Sequence, residues 1–286
     1  MTGPGSESPT PREVPAYTTR VPAPRRTRYV VAVFVLNENG RLHSQLERMR
    51  PVSGAADVVV ADGGSTDGSV EPDAIGRYEV RGVLVKTGPG RLGAQMRMAF
   101  DWALREGYEG VIAMDGNDKD DPAAIPDFVA ALEDGADHVQ GSRFIEGGQA
   151  IRTPLDRLLA VRLIHAPLIS LAARFRYTDT TNGFRGYSRR FLEDTRVAPF
   201  RDVFSGYEFH YYLAVRAARL GFDVREIPVT RAYPASGKTP TRISPVRGRI
   251  AVLRSLWRAC RGAYDPPPST ADPTVSAGAL TGGERG

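Results

Sequence analysis

The sequence predicts an α/β domain with a largely parallel central sheet, and three observations carry that prediction. Short apolar runs recur through the first half of the chain, segments of helical periodicity separate them, and the runs stop at polar, turn-forming residues. Tyr29-Val-Val-Ala-Val-Phe-Val-Leu36 is a continuous apolar run, the pattern of a strand covered on both faces. It ends at Asn37-Glu-Asn-Gly40, after which Leu42, Leu46 and Met49 recur at the spacing of a short amphipathic helix. Asp57-Val-Val-Val-Ala61 is a second strand, halted by Asp62-Gly-Gly-Ser-Thr-Asp-Gly68.

Gly82-Val-Leu-Val85 gives a third strand and Gly88-Pro-Gly90 a turn, followed by a helix carrying Leu92, Met96, Ala99, Phe100 and Leu104. Val111-Ile-Ala-Met114 gives a fourth strand running straight into Asp115. A helix with Ile125, Phe128, Val129 and Leu132 and a short strand at His138-Val-Gln140 complete the alternation. Strands alternating with helices imply parallel pairing through right-handed crossovers. The second half reads differently. Leu155 to Phe175 is apolar but studded with Arg157, Arg162, His165 and Arg174, as one or two surface helices would be. Asp179 to Tyr187 is turn-rich, Tyr207 to Leu220 reads as helix and Ile227-Pro-Val229 as a late strand. Arg249 to Arg261 sets Ile250, Leu253, Leu256, Trp257 and Cys260 on one helical face between arginines.

A chain of 286 residues, 41% hydrophobic, supports one principal domain. The expected boundaries are a disordered segment over residues 1–28, one domain over 29–262 with halves at 29–150 and 151–262, and a Pro/Ser/Thr/Gly-rich disordered tail over 263–286. The net charge of +5 is dispersed, which suits anionic partners such as diphosphates or lipid headgroups without calling for nucleic acid. Lys86, Lys119 and Lys238 are the only lysines, so nearly all the positive charge is arginine; biased base composition accounts for this as readily as phosphate binding does. Cys260 is the single cysteine, which excludes an intrachain disulfide and a cysteine-based zinc site and suits a reducing, cytoplasmic compartment. No h-region and no run of about 18 to 20 apolar residues is present, so a soluble or peripheral protein is expected.

In open parallel sheets the ligand crevice lies beyond the carboxyl ends of the strands. Three runs here end there in residues a nucleotide needs: Asn37-Glu38, Asp62 and Asp115. Asp115 heads an oxygen-rich cluster with Asn117, Asp118, Asp120 and Asp121 that suits Mg2+ or Mn2+.

Asn37-Glu38, Asp62-Gly-Gly-Ser-Thr-Asp-Gly68 and Asp115-Gly-Asn-Asp118, in that order and spacing, resemble the family 2 glycosyltransferases of GT-A fold. Gly141-Ser-Arg143, Thr181-Asn-Gly-Phe-Arg185 and Gly206-Tyr-Glu-Phe209 narrow the resemblance to the dolichol- or polyprenyl-phosphate mannose synthase-like branch, over about Tyr29 to Lys238. It implies an inverting transfer of a sugar from a UDP- or GDP-linked donor to an acceptor. By the same resemblance Glu38 and Asp62 contact the nucleoside, with Asn37 and Gly64 beside them. Gly90-Arg-Leu-Gly93 brings Arg91 and the Gly93 N–H toward phosphate, and Asp115 with Asn117 holds the metal. Glu208 serves as a general base or orients the acceptor, and Arg143 and Arg185 contact ligand.

The sequence departs from the family at two points. Asn117 stands where the second acid of the metal motif is usual, so that Asp118 is an alternative ligand, and Lys119 stands where a ligand-capable Gln is common, a cation placed to contact the donor's phosphate itself. The phosphate-binding arginine of the last loop is not reproduced, leaving Arg231, Lys238 or Arg242 as substitutes. Two acceptors stay open, a polyprenyl phosphate presented at a peripheral membrane contact and a small soluble molecule. A nucleotidyltransferase is disfavoured by the absence of a Gly-rich phosphate loop after the first strand, and a dinucleotide-dependent dehydrogenase by the lack of G-x-G-x-x-G. A non-catalytic sugar-nucleotide binding module is the further alternative. Oligomeric state is not legible.

Overall fold

A computed structural model of the chain describes residues 11–20, 23–235 and 247–267. Its centre is an eight-stranded sheet. In chain order the strands are β1 (Tyr17–Arg20), β2 (Tyr29–Val35), β3 (Asp57–Asp62), β4 (Gly82–Lys86), β5 (Gly110–Asp115), β6 (His138–Ser142), β8 (Arg185–Ser188) and β9 (Val224–Pro228). A separate parallel pair is formed by β7 (Gln149–Ile151) and β10 (Thr230–Ala232). The order across the large sheet is β1-β4-β3-β2-β5-β8-β6-β9. Only β1 and β8 run against the rest. The largely parallel sheet expected from the alternation is therefore present, with an antiparallel strand set between β5 and β6.

The central strands are buried on both faces, as their unbroken apolar runs require. Val30, Ala32 and Phe34 point into one core with helices α3 (Leu92–Arg105), α6 (Ala166–Ala173), α8 (Glu208–Arg219) and α9 (Arg247–Cys260). Tyr29, Val31, Val33 and Val35 point into the other with α1 (Gly40–Met49) and α4 (Ile125–Glu133). The segment 155–175 forms α5 (Leu155–Ala160), a wider π turn over Val161–His165, and α6. Short helices α2 (Pro72–Ile75) and α7 (Arg189–Glu193) complete the chain.

Two boundary expectations are corrected. Order starts before Tyr29: Tyr17–Arg20 pairs with β4 along the sheet edge, Arg12 Nη1 lies 3.0 Å from the buried Asp101, and the Glu13 N–H donates to Phe200 O at 2.7 Å. The Pro-rich surroundings hid a strand whose pairing partner lies some 65 residues away. At the other end Tyr264 is buried in the core and Asp265 pairs with Arg216 at 3.3 Å, so packing continues past residue 262.

Candidate active site

Register places the predicted acids together. Asp62 at the end of β3 sits opposite Val35, and Asp115 at the end of β5 sits opposite Phe34, so both flank the tip of β2 just before Asn37 and Glu38. Two strand spacings separate β3 from β5, about 10 Å.

The β2–α1 and β3–α2 turns are stitched to one another. The Asn37 N–H donates to Ser65 Oγ at 2.8 Å and Asn37 Oδ1 accepts from the Thr66 N–H at 2.7 Å. Asp62 is fully buried and caps its own loop, accepting from the Gly64 N–H at 3.1 Å, the Ser65 N–H at 3.0 Å and Ser65 Oγ at 2.6 Å. Gly64 turns that loop with φ +95, a left-handed conformation that favours glycine. Glu38 pairs with Arg41 at 2.8 Å. Gln95 Nε2 donates to Val35 O at 2.9 Å and Ala61 O at 3.1 Å, tying the tips of β2 and β3 to α3.

Asp115 stands at the other side. Arg231, brought in by β10, donates to Asp115 Oδ2 at 3.1 Å and to the buried Asp120. Asn117 Nδ2 donates weakly to Asp115 Oδ2 at 3.3 Å. Burial works against the Asp115 carboxylate, but the Arg231 charge, with help from His210 and Lys119, outweighs it and holds its pKa below the usual range. For Asp120 burial prevails, with the neighbouring Asp115 charge adding to it against Arg231, and its pKa is raised. Lys119 is pushed down, first by burial and then by Arg231. Asn117 Oδ1, Asp120 Oδ1, Asn182 Nδ2 and His210 Nδ1 are buried with no hydrogen-bond partner. These four lie around the Asp115–Arg231 pair, and further atoms of this kind occur elsewhere among the described residues.

Asp118 does not join this group. It has positive φ (59), and its carboxylate pairs with Arg48 at 2.9 Å rather than with Arg231. Asp121 accepts from the Ala123 N–H at 3.2 Å and caps the turn ahead of α4. Among the described residues no cluster of three or more His, Cys, Asp or Glu side chains is arranged to hold a metal ion. Asp115 and Asn117 nevertheless offer a carboxylate and a free amide oxygen, a donor pair that fits a hard divalent cation whose remaining ligands are phosphate and water.

The Gly90–Gly93 turn packs on the loop before α8. The Arg91 and Gly93 N–H groups donate to Ser205 O at 3.0 and 3.1 Å, and a Cβ on Gly93 would meet Gly206 N and O at 2.8 Å. The Gly93 N–H thus serves chain packing rather than a phosphate, while the Arg91 side chain is exposed. Glu208 turns back on this loop as well, accepting from the Ser205 N–H at 2.6 Å and from the Gly206 N–H.

Two arginines expected to contact ligand are committed elsewhere. Arg143 is buried and forms a fork with Asp179 at 2.6 and 2.9 Å, with a further bond to Thr181 Oγ1 at 2.9 Å. Arg185 is buried under three backbone carbonyls, those of Asn182, Thr180 and His210, at 2.9, 2.7 and 2.8 Å. Both are held inside the fold and tie its loops together. Lys238 and Arg242 lie outside the described residues. Sequence reasoning missed His210, Asn182 and the commitment of Arg231 to two acids, since these partners are distant in the chain.

A mostly parallel sheet with acids at or just past three adjacent strand tips has the architecture of GT-A glycosyltransferases. The family model for glycosyl transferase family 2 matches residues 31–196, more than half of the chain, and the chain belongs to that family. It is similar to a polyprenol monophosphomannose synthase of Mycolicibacterium smegmatis, 29% identical over 71% of this chain and 77% of the relative. It is also similar to an undecaprenyl-phosphate mannosyltransferase of Micrococcus luteus, 31% identical over 71% of this chain and 83% of the relative. In fold it resembles the glucosyl-3-phosphoglycerate synthase of Mycobacterium tuberculosis, solved with Mn2+, UDP and phosphoglyceric acid. That likeness has a TM-score of 0.58 at 21% identity and covers 84% of this chain and 80% of that one. The protein is a glycosyltransferase.

Proposed function

We propose that this glycosyltransferase moves a hexose, mannose first among the candidates, from a GDP- or UDP-linked donor to a polyprenyl phosphate at the surface of an anionic bilayer. The observation that carries the acceptor is an apolar face beside the site. Of the ten exposed large hydrophobic residues among those described, eight lie on two helical segments: Leu155, Leu159, Leu163, Ile164 and Leu171 along α5–α6, and Ile250, Leu253 and Trp257 on α9. The two segments touch, Cys260 Sγ lying 3.6 Å from Leu168 O. Arg162, Arg174, Arg254, Arg258 and Arg261 rim the face, and Asp156 is the only acid on either segment. An amphipathic helix pair of this charge suits an anionic lipid surface, and among the described residues no helix is long and apolar enough to cross a membrane. From this face Arg157 reaches Tyr233 Oη at 3.3 Å, two residues beyond the Arg231 that pairs with Asp115. The names of the relatives support the same acceptor class.

In this reading the nucleoside rests against Asn37, Glu38 and Asp62. Asp115 and Asn117 would hold Mg2+ or Mn2+, which when bound neutralises charge on the departing diphosphate. The acceptor oxygen attacks the anomeric carbon from the face opposite the diphosphate, inverting it. A phosphate monoester is largely ionised at neutral pH, with a second pKa of about 6, so no base is needed. Glu208, whose carboxylate already accepts two backbone N–H groups, holds the loop that faces the acceptor.

The test is transfer from labelled GDP-mannose and UDP-glucose into liposomes containing undecaprenyl phosphate, with Mn2+ and Mg2+, alongside sedimentation with anionic and neutral vesicles. Lipid-extractable product and binding to anionic vesicles are expected, with L159E and L163E reducing both. Product formed only on a soluble phosphate acceptor, without vesicle binding, would replace the lipid with the small-molecule alternative.

A further inference from the structure

Lys119 is difficult to account for on structural grounds alone. It is only 5% exposed, yet no carboxylate of the described residues lies within ion-pair distance of its ammonium. What faces it is the ring of Tyr233, its Nζ lying 5.3 Å from the centroid. The nearby acids have closer partners, Asp115 and Asp120 sharing Arg231 and Asp118 pairing with Arg48, and Lys119 adds only a longer-range attraction to Asp115. Its backbone is pinned, since Lys119 O accepts from the Ala232 N–H at 2.8 Å. The side chain therefore rises from a fixed point two residues past Asn117. A cation–π contact is worth far less than the hydration a buried ammonium gives up, and buried lysines are rarely left without a counter-ion.

We infer that Lys119 is a built-in counter-charge for the donor's diphosphate, so that nucleoside-diphosphate binding keeps a component that needs no metal ion. The inference deepens the function proposed above and rests on it. The site offers one carboxylate and one amide oxygen toward a metal and, two residues past Asn117, a buried ammonium with no carboxylate inside ion-pair distance. Asp115 and Asn117 with their ion then share the diphosphate charge with Lys119 instead of carrying it alone. A second consequence is independent of any ligand: a buried ammonium with no carboxylate inside ion-pair distance costs stability in the free protein, and removing it relieves that cost.

Calorimetric titration of the full chain with GDP and UDP, once in EDTA and once in Mn2+, tests this. For the unaltered protein the preferred nucleotide is expected to bind in EDTA within about tenfold of its Mn2+ affinity. K119Q is expected to lose about 10- to 100-fold in EDTA, the size of one charge-assisted contact, and much less in Mn2+. Without ligand, K119M is expected to melt higher than the unaltered chain, which a merely structural lysine would not do. If the unaltered chain binds only with Mn2+, or K119Q binds in EDTA as well as it does, the inference is overturned while the glycosyltransferase reading stands on the Mn2+ data. Absence of binding by both nucleotides under both conditions overturns the donor assignment as well.

Discussion

The two rims of the cleft use polar residues in opposite ways. At the tips of β2 and β3, Asn37 bonds Ser65 and Thr66 across about 30 residues of chain, and the fully buried Asp62 accepts from Gly64 and Ser65 in its own loop. At the acceptor side Arg143, Arg185 and Arg231 are buried, and two of them are spent on carboxylates far away in sequence, Arg231 on Asp115 and Arg143 on Asp179. The first rim is a set of local turns left partly open to a ligand; the second is a wall of closed ion pairs. An arginine in a phosphate-handling fold is therefore not by itself a phosphate ligand. The deciding question is whether a carboxylate has already taken its fork.

The largest expected effect separates chemistry from binding. Asp115→Asn removes the charge that pairs with Arg231 and would hold the metal, and kcat/KM should fall about 10^3-fold, the scale of losing a group that stabilises developing charge. Asp62→Asn keeps most acceptor capacity and should raise KM by about tenfold with kcat little changed. Steady-state kinetics with the preferred donor read both. Equal losses in kcat at the two positions would erase the distinction between nucleoside rim and diphosphate centre.

Arg143→Ala tests the wall. It leaves Asp179 buried without its partner, a change that typically costs about 3–5 kcal/mol, or a fall in melting temperature of roughly 6–20 °C for a domain this size. Burial raises the Asp179 pKa, but the Arg143 fork and backbone N–H groups outweigh it and the net shift is downward. With a folded pKa below the unfolded value of about 3.9, the stability it contributes is complete above that value and drains away as pH falls through the folded one. Arg143→Ala should flatten this acid limb in urea melts. An unchanged melting temperature with lost transfer would put Arg143 back among the ligand contacts.

His138 gives a smaller, pH-dependent effect. It is buried and stacked on Tyr187 at 5.2 Å, and burial, reinforced by the Arg185 charge, pushes its pKa down to about 3. The folded value lies below the unfolded one of about 6.5, so its contribution is fully present above pH 6.5. It declines by about 1.4 kcal/mol per unit as pH falls toward 3. His138→Phe, which keeps the stack, should remove one proton's worth of that slope between pH 6 and 5. An unchanged slope would mean that the ring titrates normally.

The contrast between the rims also explains what could be read beforehand. The strands β2, β3, β4 and β5 were legible because burial on both faces forces unbroken apolar runs, and Asp115 stood out because it follows such a run directly. Strand β8, Arg-Gly-Tyr-Ser, has no such signature; its place comes from antiparallel pairing with residues 110–113, some 75 positions upstream. Strand β1 is polar and lies at an edge, so neither face imposes a pattern. Among the residues named beforehand, Asp62 was readable as a turn former because its bonds to Gly64 and Ser65 are local, whereas the Asn37 bonds to Ser65 and Thr66 join two turns. The Arg231–Asp115 pair spans 116 residues and depends on β10 lying beside β7, a tertiary outcome with no local trace.

Glu208 is where the two ways of using polar residues meet, and its substitution should have the smallest effect. Its carboxylate lies at the start of α8, where the family resemblance would set a base, yet it is occupied by the Ser205 and Gly206 N–H groups. Those residues in turn receive the Gly90–Gly93 turn through Ser205 O. Glu208→Gln keeps an oxygen that can accept the same bonds, so transfer to a phosphate acceptor should stay within about tenfold, less than general-base loss, which costs about 10^2- to 10^4-fold. Glu208→Ala removes the acceptor from two N–H groups and should cost about 1–3 kcal/mol. The pH profile of kcat/KM discriminates. A capping residue leaves its acidic limb unchanged in Glu208→Gln, whereas a base acting on a hydroxyl acceptor takes the limb with it and would place Glu208 with the chemistry of Asp115.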